Sequence, residues 1–459
     1  MTEVAQPQVR YWAPEPKPSR EQCVAASVEL TSRPDLEITE SEDVFRIHEA
    51  GLDWDLGVRV YQPADPAQIA TGADGKKVGG FFLHGGQDDW RQMEPWARVM
   101  AGKFGWKVVV GTFPGRLYLQ DESRNWPGGT INADGTVRTP IWQQDELVSS
   151  DQYELKKDTS QRMRYGTRTV VHAKPGTRFY DRMAAWPMAM EQGMKEAMRR
   201  HFPVGEYSIY LQGHSTGGPM VCMLSQRVPN VAGILAAENS PFGEVSRRQH
   251  AWSGALGKVA GYERVTTEEN ARHDPFYELY LRSWRDLARY RGPEALGKEG
   301  PNALMRLPWL MEEIFDEFAA QSVRPLFKCE YVITHAITES LRAAAEATAE
   351  RLGLDADGTE ALVQRYIGYT HELRGPDVKP VPPVLFGISR NSRDHSYEVY
   401  TEVIMPLFAE MNPAPRMALQ HFQAGVHMLW TPEEDLPLGI MPAVSQSWHD
   451  AVTNGFFLV

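Results

Sequence analysis

Gly213-His214-Ser215-Thr216-Gly217 follows the apolar run Tyr207-Ser208-Ile209-Tyr210-Leu211 and precedes Pro219-Met220-Val221-Cys222-Met223-Leu224. The first run reads as a buried strand and the last as the start of a helix. A serine between strand and helix stands on a sharp turn that thrusts its hydroxyl out where a base can reach it. Glycines two positions to either side let the strand and helix backbones crowd together with no Cβ between them. That frame separates a G-x-S-x-G nucleophile from a glycine-rich turn holding a chance serine.

On both sides of this elbow the chain alternates strand and helix. Val78 to Leu83 reads as an apolar strand ending in His84-Gly85-Gly86. Residues 90 to 104 carry helical periodicity, and Lys107 to Val110 reads as a strand. Arg182 to Arg200 reads as a helix, with Pro187 tolerable only near its first turn. The strand Val231 to Ala236 follows the elbow helix. Later come the strand Val384 to Ile388, a helix from Tyr397 to Met411, the strand Arg416 to Gln420 and a helix from Pro442 to Thr453. Ahead of them, Leu36 to His48 and Leu56 to Tyr61 form an antiparallel hairpin joined around Gly51. The pattern predicts an α/β protein with a doubly wound, mostly parallel sheet covered on both faces.

Two segments interrupt the alternation. Residues 113–178 hold Pro127-Gly128-Gly129 and Asn132-Ala133-Asp134-Gly135, which predict a loop-and-hairpin insertion. Residues 241–376 hold amphipathic stretches around Leu304 to Phe318 and Ser340 to Leu352, which predict a helical cap before the strand that leads to Asp394. The expected organisation is an extension over 1–35, a core over 36–240 and 377–459, and the cap between them. Tyr118, Trp126, Trp142 and Tyr153 of the insertion either line a pocket or pack on the core.

Composition narrows the function. The 459 residues carry a net charge of −12 and no basic stripe, which disfavours nucleic acid and anionic membrane surfaces. No apolar run approaches the roughly 18 residues of a membrane span. Met1-Thr2-Glu3-Val4-Ala5-Gln6-Pro7 has neither the basic nor the apolar region of a secretory signal, so a cytoplasmic protein is expected. Cys23, Cys222 and Cys329 form no pair in sequence, and Cys222 reads as a buried structural thiol.

A serine hydroxyl is a poor nucleophile until a base takes its proton and a third group orients that base. Among the 13 histidines, His427 suits the base, because Gln423-Ala424-Gly425-Val426-His427 follows a strand and precedes the last helix. Loops at the carboxyl ends of parallel strands share one edge with the elbow. His421, at a strand end, reads as a core residue. For the acid, Asp394 is the first carboxylate after the strand Val384 to Ile388 and is favoured; Glu238, directly after Val231 to Ala236, is the rival on the same edge. Backbone N–H groups must meet the negative charge that acyl transfer builds on the carbonyl oxygen. Gly86 or Gln87, after the first buried strand, can supply one and Thr216 the other.

Together these features resemble the α/β-hydrolase fold superfamily, with its esterase- and lipase-like members, over residues 36–240 and 377–459, in the chain order serine, acid, histidine. The resemblance implies Ser215 as nucleophile, His427 as base, Asp394 as acid, and Gly86 with Thr216 as oxyanion hole. It implies cleavage of a small-molecule carboxylic ester through an acyl-enzyme, with no cofactor. The same triad also serves C–C bond hydrolysis and acyl transfer, and the fold also serves as a non-catalytic binder. The loop His84-Gly85-Gly86-Gln87 departs from the HGGG of hormone-sensitive-lipase-like esterases.

Two acidic clusters read as structural. Asp88-Asp89 suits the N-terminus of a helix, where carboxylates favour the dipole. Asp355-Ala356-Asp357-Gly358 lacks a carboxylate at Gln364, where a calcium loop needs one, and reads as a helix-initiating turn. No metal or nucleotide is implied.

Overall fold

The computed structural model describes residues 16–85, 89–115, 135–137, 142–158, 168–174, 176–215, 217–238, 342–367, 379–392, 397, 400–401, 405–409 and 413–458. Ten strands fall in this set. They are β1 (Ile38–Glu49), β2 (Leu52–Pro63), β3 (Lys77–Leu83), β4 (Lys107–Gly111), β5 (Tyr153–Asp158), β6 (Arg168–Ala173), β7 (Tyr207–His214), β8 (Val231–Ala237), β9 (Val384–Asn391) and β10 (Met417–Val426). Eight form one sheet in the order β1-β2-β4-β3-β7-β8-β9-β10, and β5 pairs with β6 as a separate hairpin.

β1 and β2 form the expected antiparallel hairpin, and β2 also runs antiparallel to β4. Every later pairing in the large sheet is parallel. Parallel strands buried on both faces need apolar residues pointing both ways. All eight residues of β7 are accordingly buried.

Helices cover both faces. On one lie α1 (Arg20–Ser32), α2 (Trp90–Phe104) and the C-terminal helix Met441–Thr453. The Trp96 and Trp448 rings of that layer stack with centroids 4.6 Å apart, and Trp96 Nε1 donates to Ser445 Oγ at 2.7 Å. The other face carries α3 (Arg178–His201), α4 (Gly217–Ser225) and α5 (Ala356–Ile367). Asp89 caps α2 by accepting from Arg91 N at 2.9 Å, and Asp355 accepts from Gly358 N at 2.8 Å ahead of α5. Both carboxylates thus serve helix starts.

Several expectations change. Thr177 caps α3, so the helix begins at Arg178 and Pro187 lies in its interior rather than its first turn. β10 runs on to Val426, past Gln420. Its polar residues are kept in the sheet by the N-terminal segment, where His421 N and Gln423 N donate to Pro16 O and Pro18 O at 2.8 Å each. Of the stretch expected as a helix over Tyr397 to Met411, Tyr397 and Met405–Ala409 are α-helical and Tyr400 and Thr401 are π-helical, and the other residues lie outside the described ones.

Trp142 is 1% exposed, set edge-on to Trp54 and tilted against Phe179, so it belongs to the core rather than a pocket wall. Tyr153 packs against the same core, while Tyr118 and Trp126 lie outside the described residues. Of the expected cap, residues 241–341 and 368–376 lie outside them too. Residues 342–352 are helical, and Arg365 of α5 places two 2.8 Å bonds on Glu49.

Candidate active site

The parallel register brings the carboxyl ends of the central strands to one edge. Leu83 pairs with Gly213, His214 with Ala237, and Ala237 with Gly387. His84, Ser215 and Glu238 therefore emerge side by side, directly after β3, β7 and β8. His427 emerges on the same edge, directly after β10.

Ser215 is buried and holds a left-handed backbone at φ 54°, a region costly to a residue with a Cβ. The glycines around it are required by contact. A Cβ on Gly213 would stand 2.1 Å from Gly217 O, and one on Gly217 would stand 2.7 Å from His84 O. Gly218 N donates back to Ser215 O at 3.0 Å and closes the turn into α4. The elbow read from the sequence is present in the backbone.

His427 is 5% exposed, and its Nδ1 lies 3.2 Å from Glu238 Oε2. Glu238 is fully buried and, like Ser215, left-handed, at φ 49°. A carboxylate without water is tolerable only when hydrogen bonds hold its charge. Two come from β9 and its end: Ser389 N–H donates to Oε1, and Ser392 Oγ donates to Oε2 at 2.6 Å. With Oε1 and Oε2 acceptor-only, the His427 nitrogen facing them carries the proton. Nε2 of the neutral ring is then left with its lone pair, the state a general base requires.

Asp394, Gly86 and Thr216 lie outside the described residues. The acid that meets the imidazole among the described residues is Glu238, the rival in the sequence reading. Just after β3, Gly85 is held at both ends. Its N–H donates to Gln92 Oε1, and its carbonyl accepts from His84 Nδ1 at 2.7 Å.

The sequence reading passed over Ser389 and Ser392, which hold the acid, and His214. His214 is fully buried, and its Nε2 lies 2.8 Å from the His427 carbonyl oxygen. Two serines at the end of an apolar strand, with a carboxylate at the end of its neighbour, were the available signal. Cys222 is buried on α4, where burial pushes its thiol pKa well up; an inert structural thiol results. Among the described residues no group of His, Cys, Asp and Glu is arranged to hold a metal, and no helix is long and apolar enough to cross a membrane.

No protein-family model and no curated protein matches the sequence. Several solved structures are similar to it over most of its length, at low TM-scores. A soluble variant of monoglyceride lipase from Saccharomyces cerevisiae is 9% identical, covering 90% of this chain and 96% of its own, with a TM-score of 0.38. An esterase of Rhizomucor miehei is 11% identical over 94% of this chain and 88% of its own, at 0.36. Brefeldin A esterase, a bacterial homologue of human hormone-sensitive lipase, is 12% identical over 95% and 85%, at 0.33. At such identities and scores the strand order, not the likeness, carries the assignment. An eight-stranded, mostly parallel sheet in this order, with a serine elbow after its central strand and helices on both faces, gives the chain the α/β-hydrolase fold.

Proposed function

We propose that this protein is a serine hydrolase that cleaves a small-molecule carboxylic ester through an acyl-enzyme, with Ser215 as nucleophile, His427 as base and Glu238 as acid. The reading rests on one observation above all, the buried Glu238 carboxylate 3.2 Å from His427 Nδ1 on the edge that carries the strained Ser215. The ester follows from the resemblance of the elbow and the chain order to the esterases and lipases of this fold.

Ser215 Oγ attacks the ester carbonyl carbon while His427 Nε2 takes its proton. The imidazolium so formed is stabilised by Glu238, whose charge acts more strongly in a dry site than in water. N–H groups of Gly86 and Thr216, supported by strand order as the oxyanion donors, meet the carbonyl oxygen. Collapse expels the alcohol, which takes the proton from His427. Water then gives its proton to His427 and attacks the acyl carbon; the C–O bond to Ser215 breaks, His427 returns the proton to Ser215 Oγ, and the acid is released.

Turnover of a panel of chromogenic esters, with products analysed in 18O-labelled water, tests this. One 18O in the released acid, and no turnover by Ser215→Ala, are expected. Acyl transfer to an alcohol or amine, scission of a C–C substrate, or binding without turnover would each replace the ester reading.

A further inference from the structure

The geometry points to His214 as the positioning residue that fixes the His427 backbone relative to the nucleophile; this rests on the proposed triad. His214 precedes Ser215 on the elbow and is fully buried. Its Nε2 lies 2.8 Å from the carbonyl oxygen of His427, and the two rings sit 4.8 Å apart between centroids. A carbonyl oxygen only accepts, so His214 Nε2 bears a proton and donates. Trp430, whose ring centroid is 5.2 Å away, lies tilted against the same imidazole.

One hydrogen bond thus joins the residue before the nucleophile to the residue that serves as base. Glu238 orients the ring of His427 through Nδ1, and His214 anchors its main chain. The second anchor matters because β10 is irregular just before His427, with a register shift between Phe422 and Val426. Beyond that shift a single pair, Val426 with Asn391, ties β10 to β9 before His427. A misplacement of about 1 Å between reacting groups costs on the order of 100-fold in rate.

The test compares His214→Phe, which keeps a ring but has no donor, with His214→Gln, whose amide nitrogen reaches about as far as Nε2. We expect His214→Phe to lower kcat about 100-fold with KM within about 2-fold of wild type. His214→Gln should recover most of that loss. Equal loss in both variants, or loss confined to KM, would overturn the assignment. Nitrogen-15 NMR of the imidazoles gives a readout independent of turnover: His214 should carry its proton on Nε2, and a His214 protonated on Nδ1 alone contradicts the proposal. A wild-type protein that turns over no ester sinks the proposed function instead, and the NMR result then decides the His214 bond.

Discussion

Glu238 at the end of β8 and His427 at the end of β10 meet at 3.2 Å although β9 runs between their strands. The carboxylate crosses that gap under the end of β9, held by the Ser389 N–H and the Ser392 hydroxyl. A glutamate has the extra methylene this reach requires. Glu238→Gln should lower kcat by up to about 10⁴-fold, since an amide cannot accept all three bonds and leaves the base in the wrong tautomer. Asp394→Asn should stay within a few-fold of wild type. Steady-state kinetics on the best ester of the panel measures both, and the reverse order would return the acid to Asp394.

The left-handed backbone of Ser215 stores strain that function retains. Ser215→Gly removes the Cβ that makes φ 54° costly, whereas Ser215→Ala keeps it. Both variants should be inactive, with Ser215→Gly about 1 kcal/mol more stable than Ser215→Ala in urea denaturation. Equal stabilities would mean that the elbow is relaxed.

Gly213 admits no side chain, because its Cβ would meet the Gly217 carbonyl at 2.1 Å and neither backbone can retreat. Gly213→Ala should cost about 3 kcal/mol or more, read as a fall in the urea midpoint. Gly135, whose Cβ would meet nothing within 4 Å, has no such contact, though its φ of 85° still taxes an alanine.

Burial, helped by the nearby Arg33 charge, lowers the His449 pKa from 6.5 to about 4. Its Nδ1 faces Trp106 Nε1–H at 3.2 Å and must be unprotonated to accept. The unfolded chain binds this proton more readily than the folded one. The stabilisation is therefore complete above about pH 6.5 and is lost as pH falls toward 4, by about 3 kcal/mol in all. His449→Asn, which offers an oxygen to Trp106 and does not titrate, should flatten that part of the stability profile. An unchanged slope would assign the acid sensitivity elsewhere.

Much of this architecture is legible in the sequence, because its strands are buried on both faces and read as unbroken apolar runs. β3, β4, β7 and β8 fall within a residue or a few of their expected bounds, and α2 coincides with residues 90–104. β10 reads short because His421 and Gln423 are polar, and their place in a strand depends on distant partners, β9 on one side and Pro16 and Pro18 on the other. Trp142 illustrates the same limit, since nothing local distinguishes a pocket wall from a core position beside Trp54. The proposed nucleophile and base stand in short motifs that the sequence displays. The choice of acid could not, because it depends on which carboxylate lies under the end of β9. His214 was hidden for the opposite reason, occupying the one unspecified position before the serine.

The most direct measurement is active-site labelling with a fluorophosphonate probe followed by peptide mapping. Ser215, activated by His427, should carry the adduct stoichiometrically, with labelling lost in His427→Ala and slowed in Glu238→Gln. An adduct on another residue, or labelling indifferent to His427, would contradict a serine–histidine–glutamate site on this edge of the sheet.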